Sequence, residues 1–191
     1  LAGYKIEKIV EHYESTFNRV SKSENIFENN LNTKITILDT GLETMTGGRL
    51  MLGAEYLNEE NFYLTYGDGI ANINLEDLTK FFIEKDKIAT VTAVRPPARF
   101  GSLEIENNIV TNFGEKDNTS SGWINGGFFV FKKQILEYLT DLEDILERKP
   151  LELLAEKKQL SAFKHEGFWQ PCDTIRELEI LERAIESGLV N

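Results

Sequence analysis

An α/β fold is what this sequence predicts: a mostly parallel sheet covered by helices on both faces. Three observations lead there. The runs "FYLTY" (62–66), "IATVTAV" (88–94) and "WINGGFFVF" (123–131) are nearly continuous in apolar and β-favouring residues. A strand with one wet face would alternate instead, so these strands are expected to be buried on both sides. Helical patterns separate them, most clearly "LEDLTKFFIEK" (75–85), as the crossovers of a parallel sheet require. Finally, 191 residues at 41% hydrophobic suit one domain with a substantial core.

The elements follow in chain order. Ile6, Ile9, Val10, Tyr13 and Phe17 recur at helical spacing, so residues 5–17 read as an amphipathic helix. A strand before that helix would have to lie upstream, where only "LAG" stands. Residues 18–32 are rich in Asn, Ser and Glu with little periodicity, and read as a loop or arm. "KITIL" (34–38) reads as a strand and "GGRLMLGAEYL" (47–57) as a helix opened by two glycines. Strand 62–66, helix 75–85 and strand 88–94 come next. After Pro96 the rhythm changes, and "GSLEIENNIVTNF" (101–113) sets an Asn107-Asn108 turn between two short strands, a hairpin. Strand 123–131 precedes helices near 132–139 and 150–157, and "LSAFKH" (160–165) is a last strand. "TIRELEILERAIESG" (174–188) closes as a helix ending at Gly188. Neither a repeat nor a composition break marks a second domain, so residues 1–191 read as one.

Charge narrows the function classes. With 32 acids against 21 bases, the formal charge is −11, which argues against a nucleic-acid binder with its basic face. Small anionic substrates stay open, because a metal ion or a few lysines reverse the sign locally. The apolar runs fall short of the roughly 20 residues a membrane span needs. The single cysteine, Cys172, cannot form an internal disulfide. The expectation is a cytoplasmic protein without membrane or nucleic-acid partners.

Two acids stand out. "FYLTYGDG" ends an apolar strand on Asp68, held between Gly67 and Gly69. Ligands of parallel sheets bind beyond the carboxyl ends of the strands. There Asp68 has two readings: a ligand for a hard cation such as Mg²⁺, or a cap on the next turn. Asp173, in "GFWQPCDT" (167–174), stands just before the last helix. It too has two readings, a metal ligand or one of two candidate N-caps with Thr174.

"TGLETMTGGRL", "FYLTYGDG", "RPPARFGSLEI", "INGGFFVF" and "GFWQPCDT" occur in that order at fitting separations. Together they resemble the glucose-1-phosphate cytidylyltransferases, a branch of the sugar-nucleotide nucleotidyltransferases, over nearly the whole chain. The resemblance implies a Rossmann-like mixed, mostly parallel sheet with helices on both faces, the nucleotidyltransferase fold. It implies a reaction in which CTP and α-D-glucose 1-phosphate give CDP-glucose and pyrophosphate. It also implies Mg²⁺, a homo-oligomeric enzyme and a place in cell-surface polysaccharide synthesis.

The resemblance carries over residue by residue. Asp68 and Asp173 match the family's two metal-binding acids, and Lys116 in "FGEKD" matches a lysine on the sugar phosphate. Glu115 and Asn125, with Gly126 beside it, match residues near the hexose; otherwise Asn125 reads as a turn residue. Thr46, Gly48 and Arg49 fall in the base-recognition turn, and Tyr66 and Gly67 border the nucleotide. A guanidinium at Arg49 would donate to cytosine O2 and N3, whereas uracil presents a donor at N3. Without the resemblance, Thr46 reads as a helix cap, Arg49 as a solvated residue and Tyr66 as packing. Arg99 and Phe100 share a motif but receive no role, and His12 and His165 read as structural or exposed.

The sequence departs from the family at one large feature. The N-terminal strand, glycine-rich Thr-Arg loop and lysine that cradle the triphosphate have no counterpart here. The usual Glu-Lys-Pro is "EKD", and the arm at 18–32 is short where the family builds its oligomer. The expectation is that the 191 residues alone turn over little. Alternatives are a catalytically dead sugar-nucleotide-binding fragment, or a nucleotidyltransferase for another NTP or sugar 1-phosphate. A metal-dependent glycosyltransferase fits less well, because it would present an acid two residues from Asp68, where Tyr66 and Ile70 stand.

Overall fold

The computed structural model describes residues 1–21, 23–96, 102–106, 108–114 and 122–190. The chain forms two compact units, Leu1–Glu60 with Lys133–Glu156, and Asn61–Lys132 with Lys157–Asn191.

The first unit begins with α1 (Ile6–Thr16), whose apolar stripe packs Ile6, Val10 and Tyr13 onto Ala2, Phe27 and Ile37. Where residues 18–32 read as a loop, two short strands stand instead. They are β1 (Asn18–Ser21) and β2 (Ile26–Glu28), which join β3 (Lys34–Thr36) in an antiparallel sheet ordered β1-β2-β3. Three or four residues are too few to display alternation. The strand is anchored instead by Phe27, fully buried with its ring 5.7 Å from that of Tyr13. Asn25 and Asn32 turn the chain between strands at positive φ, which asparagine tolerates better than most residues.

The "LAG" segment makes a parallel bridge between Ala2 and Asp39. The Ala2 N–H donates to the Leu38 carbonyl and the Thr40 N–H to the Ala2 carbonyl, each at 2.8 Å. α2 (Thr46–Gly53) runs on into a 3-10 turn at Ala54–Tyr56. The helix expected near 132–139 is a 3-10 helix, Lys133–Tyr138, and α4 (Lys149–Glu156) follows.

The second unit holds a four-stranded sheet of β4 (Asn61–Thr65), β6 (Ala89–Val94), β9 (Ile124–Lys132) and β10 (Leu160–Lys164). Its order is β10-β6-β9-β4, with β10 parallel to β6 and β9 antiparallel to both neighbours. Three strands therefore share one direction and β9 runs against them, so the sheet is mixed. β9 reads as apolar because it lies inside the sheet, with Phe129, Val130 and Phe131 all buried. α3 (Leu75–Lys85) starts at Asn74, whose side chain accepts from the Glu76 and Asp77 N–H groups, and ends at Asp86 in the left-handed region. Its Leu78 and Phe82 bury against Val130, with Ile73 and Phe163 alongside. Each such side chain contributes roughly 1.5–3 kcal/mol.

The remaining strands sit outside that sheet. β7 (Ser102–Glu106) and β8 (Ile109–Gly114) form the expected hairpin, with Asn108 at positive φ in the turn. β5 (Gly69–Ala71) and β11 (Trp169–Pro171) make a second antiparallel ribbon, and α5 (Ile175–Glu186) closes the chain.

Candidate active site

The ribbon of β5 and β11 is where the two acids meet. Its register pairs Trp169 with Ala71, Gln170 with Ile70 and Pro171 with Gly69. One step further the Cys172 N–H donates to the Asp68 carbonyl at 2.7 Å. Asp173, the next residue, is thereby brought beside Asp68 although the two are far apart in sequence. Both acids are exposed, and neither carboxylate has a hydrogen-bond or ion-pair partner among the described residues. Two unclaimed carboxylates at one end of the ribbon are the hard oxygen donors that Mg²⁺ takes, so the residue types fit that ion.

Helix capping falls to Thr174, not Asp173. The Thr174 hydroxyl accepts from the Glu177 N–H at 3.3 Å and donates to the Glu177 carboxylate at 3.0 Å. The same carboxylate accepts the Asp173 N–H at 3.0 Å. This is a capping box shifted by one residue on the return bond. It satisfies the start of α5 and leaves the Asp173 side chain uncommitted.

A bulge in β9 lies against this ribbon. Val91 pairs with Phe129 but Ala93 pairs with Asn125, so β9 has extra residues at 126–128. Gly127 takes φ +78 there, a conformation that glycine reaches at little cost. Asn125 is held at both ends of its amide. Its Oδ1 accepts the Gly127 N–H at 2.8 Å, and its Nδ2 donates to the Tyr66 hydroxyl at 3.1 Å. Asn125 is thus a strand residue at the edge of the bulge rather than a turn residue, and an exposed one whose amide is bonded to Tyr66 and Gly127. Tyr66 packs against Gly127, where a β-carbon would lie 2.8 Å from its ring, and against Phe129, with ring centroids 5.8 Å apart. One of its partners, Asn125, is a residue assigned to the hexose. Gly67 is exposed, with open space where a β-carbon would stand.

Sequence reasoning missed Trp169. Its indole Nε1 donates to the Gly126 carbonyl at 2.8 Å, joining β11 to the bulge. An aromatic before a proline turn gives no local sign of so distant a partner. Gln170, nine-tenths buried, donates to the Pro171 carbonyl at 2.9 Å. His165 is structural, its Nε2 in contact with the Phe168 carbonyl at 3.1 Å.

The "TMTGGRL" turn belongs to the first unit. Met45 occupies the N-cap position without a side-chain bond. Thr46 turns elsewhere: its hydroxyl accepts the Leu146 N–H at 2.9 Å and donates to Glu147 at 2.7 Å. The Gly47 and Gly48 N–H groups donate to the Asp144 carbonyl at 2.8 and 3.3 Å. Gly48 is buried against the Leu142 backbone, so closely that a β-carbon would collide with it. The Asp144 carboxylate in turn accepts from the Thr140 and Asp141 N–H groups, which hold it below the usual carboxylate range. Arg49 is half-buried rather than solvated. It donates to the Thr40 hydroxyl and, at 3.4 Å, to the Leu42 carbonyl, with Gly3 directly beneath the guanidinium. Thr46 and Gly48 therefore seat α2, and Arg49 is steadied on the Thr40–Leu42 turn.

Glu115 and Lys116, and also Arg99 and Phe100, lie outside the described residues. No helix of the described residues is long and apolar enough to cross a membrane.

Comparison with known proteins shows the family of the chain. The family described as nucleotidyl transferase matches residues 5–182. A glucose-1-phosphate cytidylyltransferase of Salmonella typhi is 38% identical, across 97% of this chain and 76% of that protein. A Bacillus subtilis (strain 168) protein named "Probable glucose-1-phosphate cytidylyltransferase" is 40% identical, across 93% of this chain and 73% of that protein. Among solved structures, HddC from Yersinia pseudotuberculosis complexed with GMP-PN superposes with a TM-score of 0.65 at 18% identity, covering 95% of this chain and 75% of that one. At that identity the likeness shows the fold alone.

Proposed function

This chain belongs to the nucleotidyl transferase family, and from that premise we propose that it joins CTP and α-D-glucose 1-phosphate. The products are CDP-glucose and pyrophosphate. A phosphate oxygen of the sugar phosphate attacks the α-phosphorus of CTP in line, and the bond to the bridging oxygen of the departing pyrophosphate breaks. No enzyme nucleophile is needed, so the protein's task is positioning and charge stabilisation. The observation that carries this reading is the Cys172–Asp68 bond, which brings together the backbone segments bearing two uncommitted carboxylates.

Asp68 and Asp173 would hold Mg²⁺. When bound, the ion supplies positive charge to the phosphate oxygens and the leaving group. Asn125, fixed by Tyr66, presents its remaining amide hydrogen toward a hexose hydroxyl, with Gly126 allowing close approach. Glu115 and Lys116 keep the roles that the resemblance implies, on the hexose and on the sugar phosphate. Arg49 donates to cytosine O2 and N3, on a helix whose start is seated by Thr46 and Gly48. Tyr66 and Gly67 border the nucleotide.

Calorimetric titration with CDP-glucose and UDP-glucose, in Mg²⁺, tests base selection. The proposal expects tighter binding of the cytidine compound and loss of that preference in Arg49→Ala. Equal affinity for both in the unaltered protein overturns the assignment of CTP, and a preference that survives Arg49→Ala overturns the role of Arg49.

A further inference from the structure

We propose that Trp169 is a positioning residue for the acid pair, fixing the strand that leads to Asp173 onto the strand that carries Asn125. The inference rests on the metal-holding role given above to Asp68 and Asp173.

β5 and β11 are three residues each and, among the described residues, pair only with one another. So short a ribbon needs outside support to hold one orientation. Both of its arms find that support at the same bulge. On the Asp68 arm, the Tyr66 N–H donates to the Gly127 carbonyl at 2.9 Å. On the Asp173 arm, the Trp169 indole donates to the Gly126 carbonyl at 2.8 Å.

The acceptor on the second arm is itself closely packed. Gly126 is buried, and a β-carbon there would fall 2.8 Å from Val94 Cγ1 and 2.9 Å from the Thr92 carbonyl oxygen. From Trp169 to Asp173 the path is stiff as well. Gln170 is buried and bonded to the Pro171 carbonyl, Pro171 has a restricted φ, and Cys172 is bonded to Asp68. Anchoring the indole thus fixes where the Asp173 carboxylate stands relative to Asp68. The Tyr66 bond comes from the backbone, so the Trp169 bond is the one that a substitution can remove.

The test is Mn²⁺ binding to the intact protein in the presence of CDP-glucose, followed by electron paramagnetic resonance. Trp169→Phe keeps an aromatic six-membered ring and loses the N–H. The expected result is about tenfold weaker Mn²⁺ binding, the usual scale for losing a group that orients metal ligands. A role in packing alone would leave the Mn²⁺ affinity unchanged and lower only the melting temperature. Unchanged Mn²⁺ affinity in Trp169→Phe overturns the inference and leaves the metal site standing. Failure of the unaltered protein to bind Mn²⁺ overturns the metal site and the inference together.

Should Trp169→Phe fold poorly, the unaltered protein answers through its indole N–H signals. The sequence has two tryptophans, and Trp123→Phe assigns them. A Trp169 signal that exchanges slowly and shifts on Mg²⁺ addition supports the inference, and one indifferent to Mg²⁺ overturns it.

Discussion

The Cys172 N–H donates to the Asp68 carbonyl at 2.7 Å, and that one bond decides how the two acids of the candidate site are related. It extends the register of β5 and β11 by a step, so Asp68 and Asp173 leave the ribbon at the same end. The site depends on a long-range strand pairing, with caps and turns keeping each carboxylate available.

The first consequence concerns Thr174, which caps α5 in place of Asp173. Thr174→Ala should cost about 1 kcal/mol of stability, the usual loss for an N-cap hydroxyl. Urea denaturation measures it. Asp173→Ala should cost little by the same measure, because the carboxylate of Asp173 has no described bond to the helix. Equal losses would show that the two share the cap.

Gly127 gives a second. At φ +78 a side chain is strained, and a β-carbon would also stand 2.8 Å from the Tyr66 ring. Gly127→Ala should destabilise the protein by about 2 kcal/mol, near the upper end for placing an L-residue in the left-handed region. The Asn125 amide should also lose its fixed orientation, raising KM for the sugar phosphate more than for CTP. A stable variant with both KM values unchanged would contradict this account of the bulge.

Asp144 yields a prediction in pH. Its folded pKa is lowered by the Thr140 and Asp141 N–H groups, so the native state favours the ionised form. Stability from this carboxylate is therefore full above its unfolded pKa of about 3.9, and is lost as pH falls through the lower folded value. The melting temperature of Asp144→Asn should lie below that of the unaltered protein at neutral pH. The two should converge on acidification. A gap that stays constant down to the acid limb would count against the assigned hydrogen bonds.

Local pattern made some of this legible and not the rest. α3 spans the residues its apolar spacing predicted, because Asn74 caps it and Leu78 and Phe82 recur on one face. β6 and β9 were readable because burial on both faces writes itself into a continuous apolar run, whereas β4, read the same way, is an edge strand exposed at alternate positions. That same run concealed the direction of β9, since an interior strand looks alike whichever way it points. β1, β2, β5 and β11 were missed for a different reason. Each has only three or four residues, and β11 contains Pro171, which reads as a turn.

The site divides in the same way. Asp68 and Asp173 could be singled out from their places after a strand and before a helix. Their adjacency could not, because it rests on partners distant in sequence. Thr46 read as a cap from its position before Gly47-Gly48, yet its hydroxyl serves Leu146 and Glu147, far along the chain. Trp169 had no local signal at all, since only the fold supplies the Gly126 carbonyl it meets.

The central claim, that Asp68 and Asp173 together hold the metal on which nucleotide binding depends, has one direct test. CDP-glucose binding is measured by calorimetry with and without Mg²⁺, on the unaltered protein and on Asp68→Asn and Asp173→Asn. The account predicts Mg²⁺-dependent binding that both substitutions abolish. Binding that is indifferent to Mg²⁺, or that survives both substitutions, would contradict it.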